Sequence, residues 1–135
     1  MSARSDRGDF ENAYLSVIRA LRVLAASPEE ACELQGHYNV AYEVKLEAEA
    51  APYIFDLPAC TLTNEHKQAL LGIVAALQSI PQEVLAFTSI KEESLEKMKH
   101  SSWKVPRGMA RLLVDALKPT TDINSWYFEQ DRSKW

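Results

Sequence analysis

The chain has 135 residues, 47% of them hydrophobic and 25% charged, proportions that fit one globular domain and argue against disorder. Its formal net charge is −4 at pH 7, and the scattered positives disfavour nucleic acid as a direct ligand, because binding phosphates requires clustered Lys and Arg. No apolar run approaches the ~20 residues of a membrane span, and the polar start Met1–Asp9 lacks the apolar core of a signal peptide. Two cysteines, Cys32 and Cys60, are too few for a disulfide framework, so a cytoplasmic protein with reduced thiols is expected.

In chain order, residues 1–8 read as a flexible lead. Phe10, Ala13, Tyr14, Val17, Ile18, Leu21, Leu24 and Ala25 then recur at three and four residues behind a capping Asp9, which predicts an amphipathic helix. Ser27-Pro28-Glu29-Glu30 starts a second helix: Ser27 can cap, Pro28 suits the first helical position, and Glu30 completes a capping box. Its apolar stripe, Ala31, Leu34, Tyr38, Ala41 and Tyr42, predicts one continuous helix to about Ala51, ending before Pro52. Gly36 in its interior suggests close approach of a neighbouring helix or of a ligand backbone.

Residues 52–62, with two prolines and large apolar side chains, read as a loop pinned onto the core. Thr61 or Thr63 then caps a helix whose face is Ala69, Leu70, Ile73, Val74, Leu77 and Ile80. After Pro81 the pattern continues through Val84, Leu85 and Phe87. Ser89-Ile90-Lys91-Glu92 repeats the capping-box spacing before a short helix carrying Leu95 and Met98. Trp103 is placed to wedge this helix against a last one, which follows Pro106, carries Met109, Ala110, Leu112, Leu113, Ala116 and Leu117, and stops at Pro119. Residues 119–135 form an aromatic tail with Trp126, Tyr127, Phe128 and Trp135, which packs onto the bundle or anchors a partner or a second copy as a homodimer. No stretch alternates with period two. The expected fold is all-α, a single-domain antiparallel bundle of five or six helices.

Residues 28–60 carry a net −6, whereas every other segment lies within two charges of neutrality. On the wheel of an unbroken second helix, Glu29, Glu33, Glu43 and Glu47 fall in one sector with Val40 and Val44. An apolar centre flanked by carboxylates suits an interface with a basic partner, and a solvated helix face is the plainer alternative. The chemistry-bearing residues offer less. Cys32, Glu33 and His37 are metal-ligating types, yet a Glu–His pair four apart is the ordinary helix-surface contact. A Cys–His pair would need a third orienting group and an oxyanion hole, neither of which the sequence marks, and the Glu43–Glu47 pair reads as an exposed acidic stripe without the burial that acid–base work requires. No catalytic residue, metal site or cofactor is therefore expected. The cluster Lys97, Lys99, Lys104, Arg107 and Arg111 is interrupted by Glu96 and apolar residues and reads as solvated surface.

At Tyr38-Asn39-Val40-Ala41-Tyr42-Glu43, and at Met98-Lys99-His100-Ser101-Ser102-Trp103 followed by Arg107 and Leu112-Leu113, the chain resembles small all-helical bacterial immunity proteins. These are made beside a toxin, as in contact-dependent growth inhibition systems. The resemblance implies a non-catalytic cytoplasmic protein that binds and neutralises the toxic C-terminal domain of its cognate partner. It assigns no role to any single residue. A toxin that attacks nucleic acid needs a basic cleft, which an acidic protein can occupy by electrostatic mimicry. Two alternatives stand beside it: a helical adaptor or regulatory subunit of a larger complex, and a ligand-binding or enzymatic domain with a pocket beneath Tyr38, Asn39 and Tyr42.

Overall fold

Periodicity of three and four along most of the chain dictates helices, and a computed structural model describing residues 3–123 is all-α, with no strand among them. The helices are α1 (Ala3–Ala25), α2 (Pro28–Gln35), α3 (Val40–Ala50), α4 (Asn64–Leu77), α5 (Gln82–Leu85), α6 (Lys91–Met98), α7 (Lys104–Ala116) and α8 (Lys118–Ile123). Ala51–Asp56 and Ser101–Trp103 are short 3-10 turns. The aromatic tail beyond Ile123 lies outside the described residues.

The expected stripe of α1 is buried from Phe10 to Leu24. It packs chiefly on α7 and α3, and α4 closes on α7. One continuous buried cluster runs from Phe10 through Val44, Ile73 and Trp103 to Leu117. The helix extends back to Ala3, so residues 3–8 are helical rather than a lead-in to it. α7 ends at Ala116, before Pro119 as expected, but Pro119 then occupies the first turn of a further helix, α8, where its missing N–H is harmless. The Tyr14 hydroxyl pins α8 to α1, bonding the Leu117 carbonyl at 3.3 Å and Thr121 Oγ1 at 2.7 Å.

Ser27 caps α2 as its sequence predicts, accepting from the Glu30 N–H at 3.2 Å. The predicted long second helix, however, is two helices. Gly36 adopts φ 77° and ends α2, its own N–H and that of His37 closing onto the last-turn carbonyls of Glu33 and Cys32. No heavy atom lies within 4 Å of where a Cβ on Gly36 would sit, so this glycine serves a left-handed stop rather than a close approach. His37 and Asn39 also take positive φ, 61° and 46°, before α3 begins. The Asn39 N–H donates to the Thr88 carbonyl at 2.9 Å, which fastens this corner to the segment leading into α6.

Other termini are built from side chains. Thr63 caps α4 in a capping box whose second member is His66: Thr63 Oγ1 accepts from the His66 N–H, and the His66 ring accepts from the Thr63 N–H. The box expected at Ser89 is absent. Thr88 does that work one residue earlier, accepting from the Ile90 N–H at 3.1 Å and donating to Glu93 at 2.6 Å. Trp103 is fully buried between α6 and α7, with its indole N–H donating to the Lys97 carbonyl at 2.9 Å.

Candidate functional site

The corner at Gly36–Asn39 decides which residues reach solvent. Three left-handed residues between α2 and α3, Gly36, His37 and Asn39, cancel the common wheel on which the acidic stripe rests. Val40 and Val44 are buried to within 1% and form part of the core, so neither belongs to an interface. On α3 the buried face is Val40, Ala41, Val44 and Ala48, and the opposite face, around Tyr42 and Leu46, is therefore exposed. The expected core members Leu34, Tyr38 and Tyr42 are 45%, 54% and 46% exposed.

An apolar ridge results. Tyr42 and Leu46 stand one turn apart on the exposed face of α3, and Tyr38, on the corner before it, is met edge-on by Phe87, which was expected to pack inward but is 65% exposed, with ring centroids 5.5 Å apart. Tyr42 and Leu46 also wall a hollow of about 390 Å³ with Lys45, Glu49, Leu85 and Ala86. Tyr38 sits between the positive-φ residues His37 and Asn39. Non-glycine residues in sparsely populated backbone regions cost on the order of 1–3 kcal/mol when strained, and such strain gathers at functional segments. His and Asn tolerate the left-handed region better than most, which limits the penalty.

Charged residues edge the ridge unequally. On one side Glu43 is half-buried and Glu47 exposed, the latter accepting from Gln35 of α2 at 2.8 Å. On the other, Lys45 is held by Glu49 at 2.6 Å, and Glu49 also accepts from Gln78, just past the end of α4, at 2.6 Å. Burial works to raise the Glu49 carboxyl, but the bonds from Lys45 and Gln78 outweigh it and hold the group below the usual carboxylate range. The one lysine of α3 is thus engaged within the fold, and Glu43 and Glu47 set the sign of the exposed edge.

Glu29 and Glu33 lie elsewhere. They line a groove of about 290 Å³ between α2 and α6, where Glu30, Cys32, His37, Lys91, Glu92 and Leu95 complete the wall. Sequence order conceals this grouping: residues 61–100 are nearly neutral in sum, yet packing of α6 on α2 brings Glu92 beside the three glutamates of α2. His37 Nε2 stands 3.3 Å from Glu33, the surface contact expected of that spacing. Cys32 lies on the groove floor; burial pushes its thiol up, and Glu29 and Glu33 add to the effect, which keeps it protonated and unsuited to nucleophilic work. Among the described residues, no three His, Cys, Asp or Glu side chains gather closely enough to hold a metal ion.

The basic cluster also has work inside the fold. Lys97 donates to the Glu83 and Ala86 carbonyls at the end of α5, Arg107 to the Met98 carbonyl ending α6, and Arg111 to the Ala25 carbonyl ending α1. These cations neutralise orphaned carbonyls at the negative ends of helix dipoles. Three of the five cations of the cluster are thus tied to helix ends.

No helix among the described residues is long and apolar enough to cross a membrane. No protein-family model matches the chain, and neither the curated proteins nor the solved structures hold a significant match to it.

Proposed function

We propose that the chain is a non-catalytic protein-binding inhibitor of the immunity type, which neutralises a basic cognate toxin domain in the cytoplasm. The observation that supports this reading is the ridge of Tyr38, Tyr42, Leu46 and Phe87, edged by Glu43 and Glu47. Large aromatics left in water on a folded chain with ample core are the usual anchors of a protein interface. Carboxylates at the edge steer a basic partner and fix its register. The ridge keeps the logic of an apolar centre flanked by acids and replaces Val40 and Val44 as its apolar part.

The test is protection of cells. The toxin domain encoded beside this chain should be neutralised by the wild-type protein. The double variant Tyr42→Ala/Phe87→Ala should lose protection and bind the purified domain about 100-fold or more weakly, since anchor truncations cost ≥ ~2 kcal/mol each. Its helical circular dichroism should match wild type. Full protection by the double variant would remove the ridge from the interface. A neighbouring gene for a stable complex subunit, with a co-purifying complex in place of growth protection, would favour the adaptor reading.

A further inference from the structure

The groove between α2 and α6 lies apart from the ridge and has its own chemistry. At about 290 Å³ it is at or below the smallest pockets that take drug-sized ligands, and is sized for one side chain. Its floor holds Leu95 and the protonated Cys32, and its rim holds Glu29, Glu30, Glu33 and Glu92 with Lys91 and with His37, which stands against Glu33. Four carboxylates around an apolar floor match a group with a hydrocarbon stem and a broad cationic head. The fold already shows the attraction: Lys99 Nζ stands 4.0 Å from Glu29 and 3.9 Å from Glu96, bridging the two helices.

We infer that this groove receives an arginine side chain of the protein partner, with the stem over Leu95 and Cys32 and the guanidinium among the glutamates of both helices. Arginine fits better than lysine because its planar head is weakly hydrated and can bond several carboxylates at once. The inference deepens the proposed function, since it rests on the chain being a protein binder and names a second contact of that same partner.

The probe is the tripeptide acetyl-glycyl-arginyl-glycinamide, with its neutral citrulline counterpart, titrated into the 15N-labelled full chain. The arginine peptide should give saturable amide shifts confined to residues 29–37 and 91–96, with a Kd on the order of 1 mM, worth ~4 kcal/mol. The citrulline peptide should give none, and a lysine peptide should bind more weakly. Glu33→Gln/Glu92→Gln, exposed changes that leave the helices intact, should weaken binding about five-fold or more, and Tyr42→Ala should leave it unchanged. Shifts spread over all acidic surfaces, equal binding of citrulline, or indifference to the glutamine changes would each overturn the inference. Those results would leave the ridge untouched, because its test is toxin binding by Tyr42 and Phe87 variants.

Discussion

Leu34→Ala and Leu113→Ala remove the same three carbons from helices, so any difference in their effect measures position alone. Transfer of three methylenes is worth about 2.4 kcal/mol when all are withdrawn from water. Leu113 is 3% exposed inside the contact of α7 with α1 and α4, where neighbouring helices cannot collapse onto the gap. A cavity contribution then adds to the transfer loss, for a total of about 3–4 kcal/mol, inside the usual ~2–5 range for such changes. Leu34 is 45% exposed at the mouth of a hollow shared with Glu47 and Tyr53. About half of its transfer energy is therefore lost, no closed cavity forms, and alanine's better helix propensity returns ~0.2 kcal/mol, leaving about 1 kcal/mol. Urea unfolding of the two variants, followed by helical circular dichroism with equal slopes, gives both numbers from the midpoints. Equal losses, or a larger loss for Leu34, would mean that α2 packs inward along Leu34 and that the break at Gly36 is misplaced.

Reversing Glu43 and Glu47 to Lys should leave the fold nearly as stable, since the single Gln35–Glu47 bond is exposed, while stopped-flow association with the basic partner slows about ten-fold and loses salt sensitivity. An unchanged salt slope would reduce these glutamates to a solvated edge. Trp103→Phe should destabilise by about 2–3 kcal/mol, because it takes the indole donor from the part-buried Lys97 carbonyl and opens a gap in the core between α6 and α7; a midpoint equal to wild type in urea would contradict that packing. Iodoacetamide at pH 8 should label half-buried Cys60 well before Cys32, whose thiol burial pushes up, and mass spectrometry of timed samples reads the order. Replacing both cysteines with Ala should leave partner binding within a few-fold, and loss of binding in a folded double variant would revive a thiol mechanism.

The sequence by itself determined the helical class, the face of α1, the Ser27 cap, the inward face of α4 and the burial of Trp103, and it narrowed the cap of α4 to Thr61 or Thr63. Each of these rests on interactions within one or two turns, where spacing and capping chemistry act without reference to the rest of the chain. It also showed where negative charge is concentrated, because charge adds along a segment whatever the fold. Tertiary structure alone decided which residues face a partner. The break at Gly36 is signalled by a glycine, but the left-handed turns at His37 and Asn39 are not, and the corner they make is fastened by the bond from Asn39 to the Thr88 carbonyl, 49 residues away. Rotation at that corner put Val40 and Val44 inside and Tyr38, Tyr42 and Leu46 outside. Packing of α6 on α2 likewise brought Glu92, from a segment almost neutral in sum, beside Glu29, Glu30 and Glu33, and the ends of α1, α5 and α6 tied Arg111, Lys97 and Arg107 to backbone carbonyls. A helix's own period fixes only which residues share a face; which way that face points is settled by contacts between segments far apart in the chain.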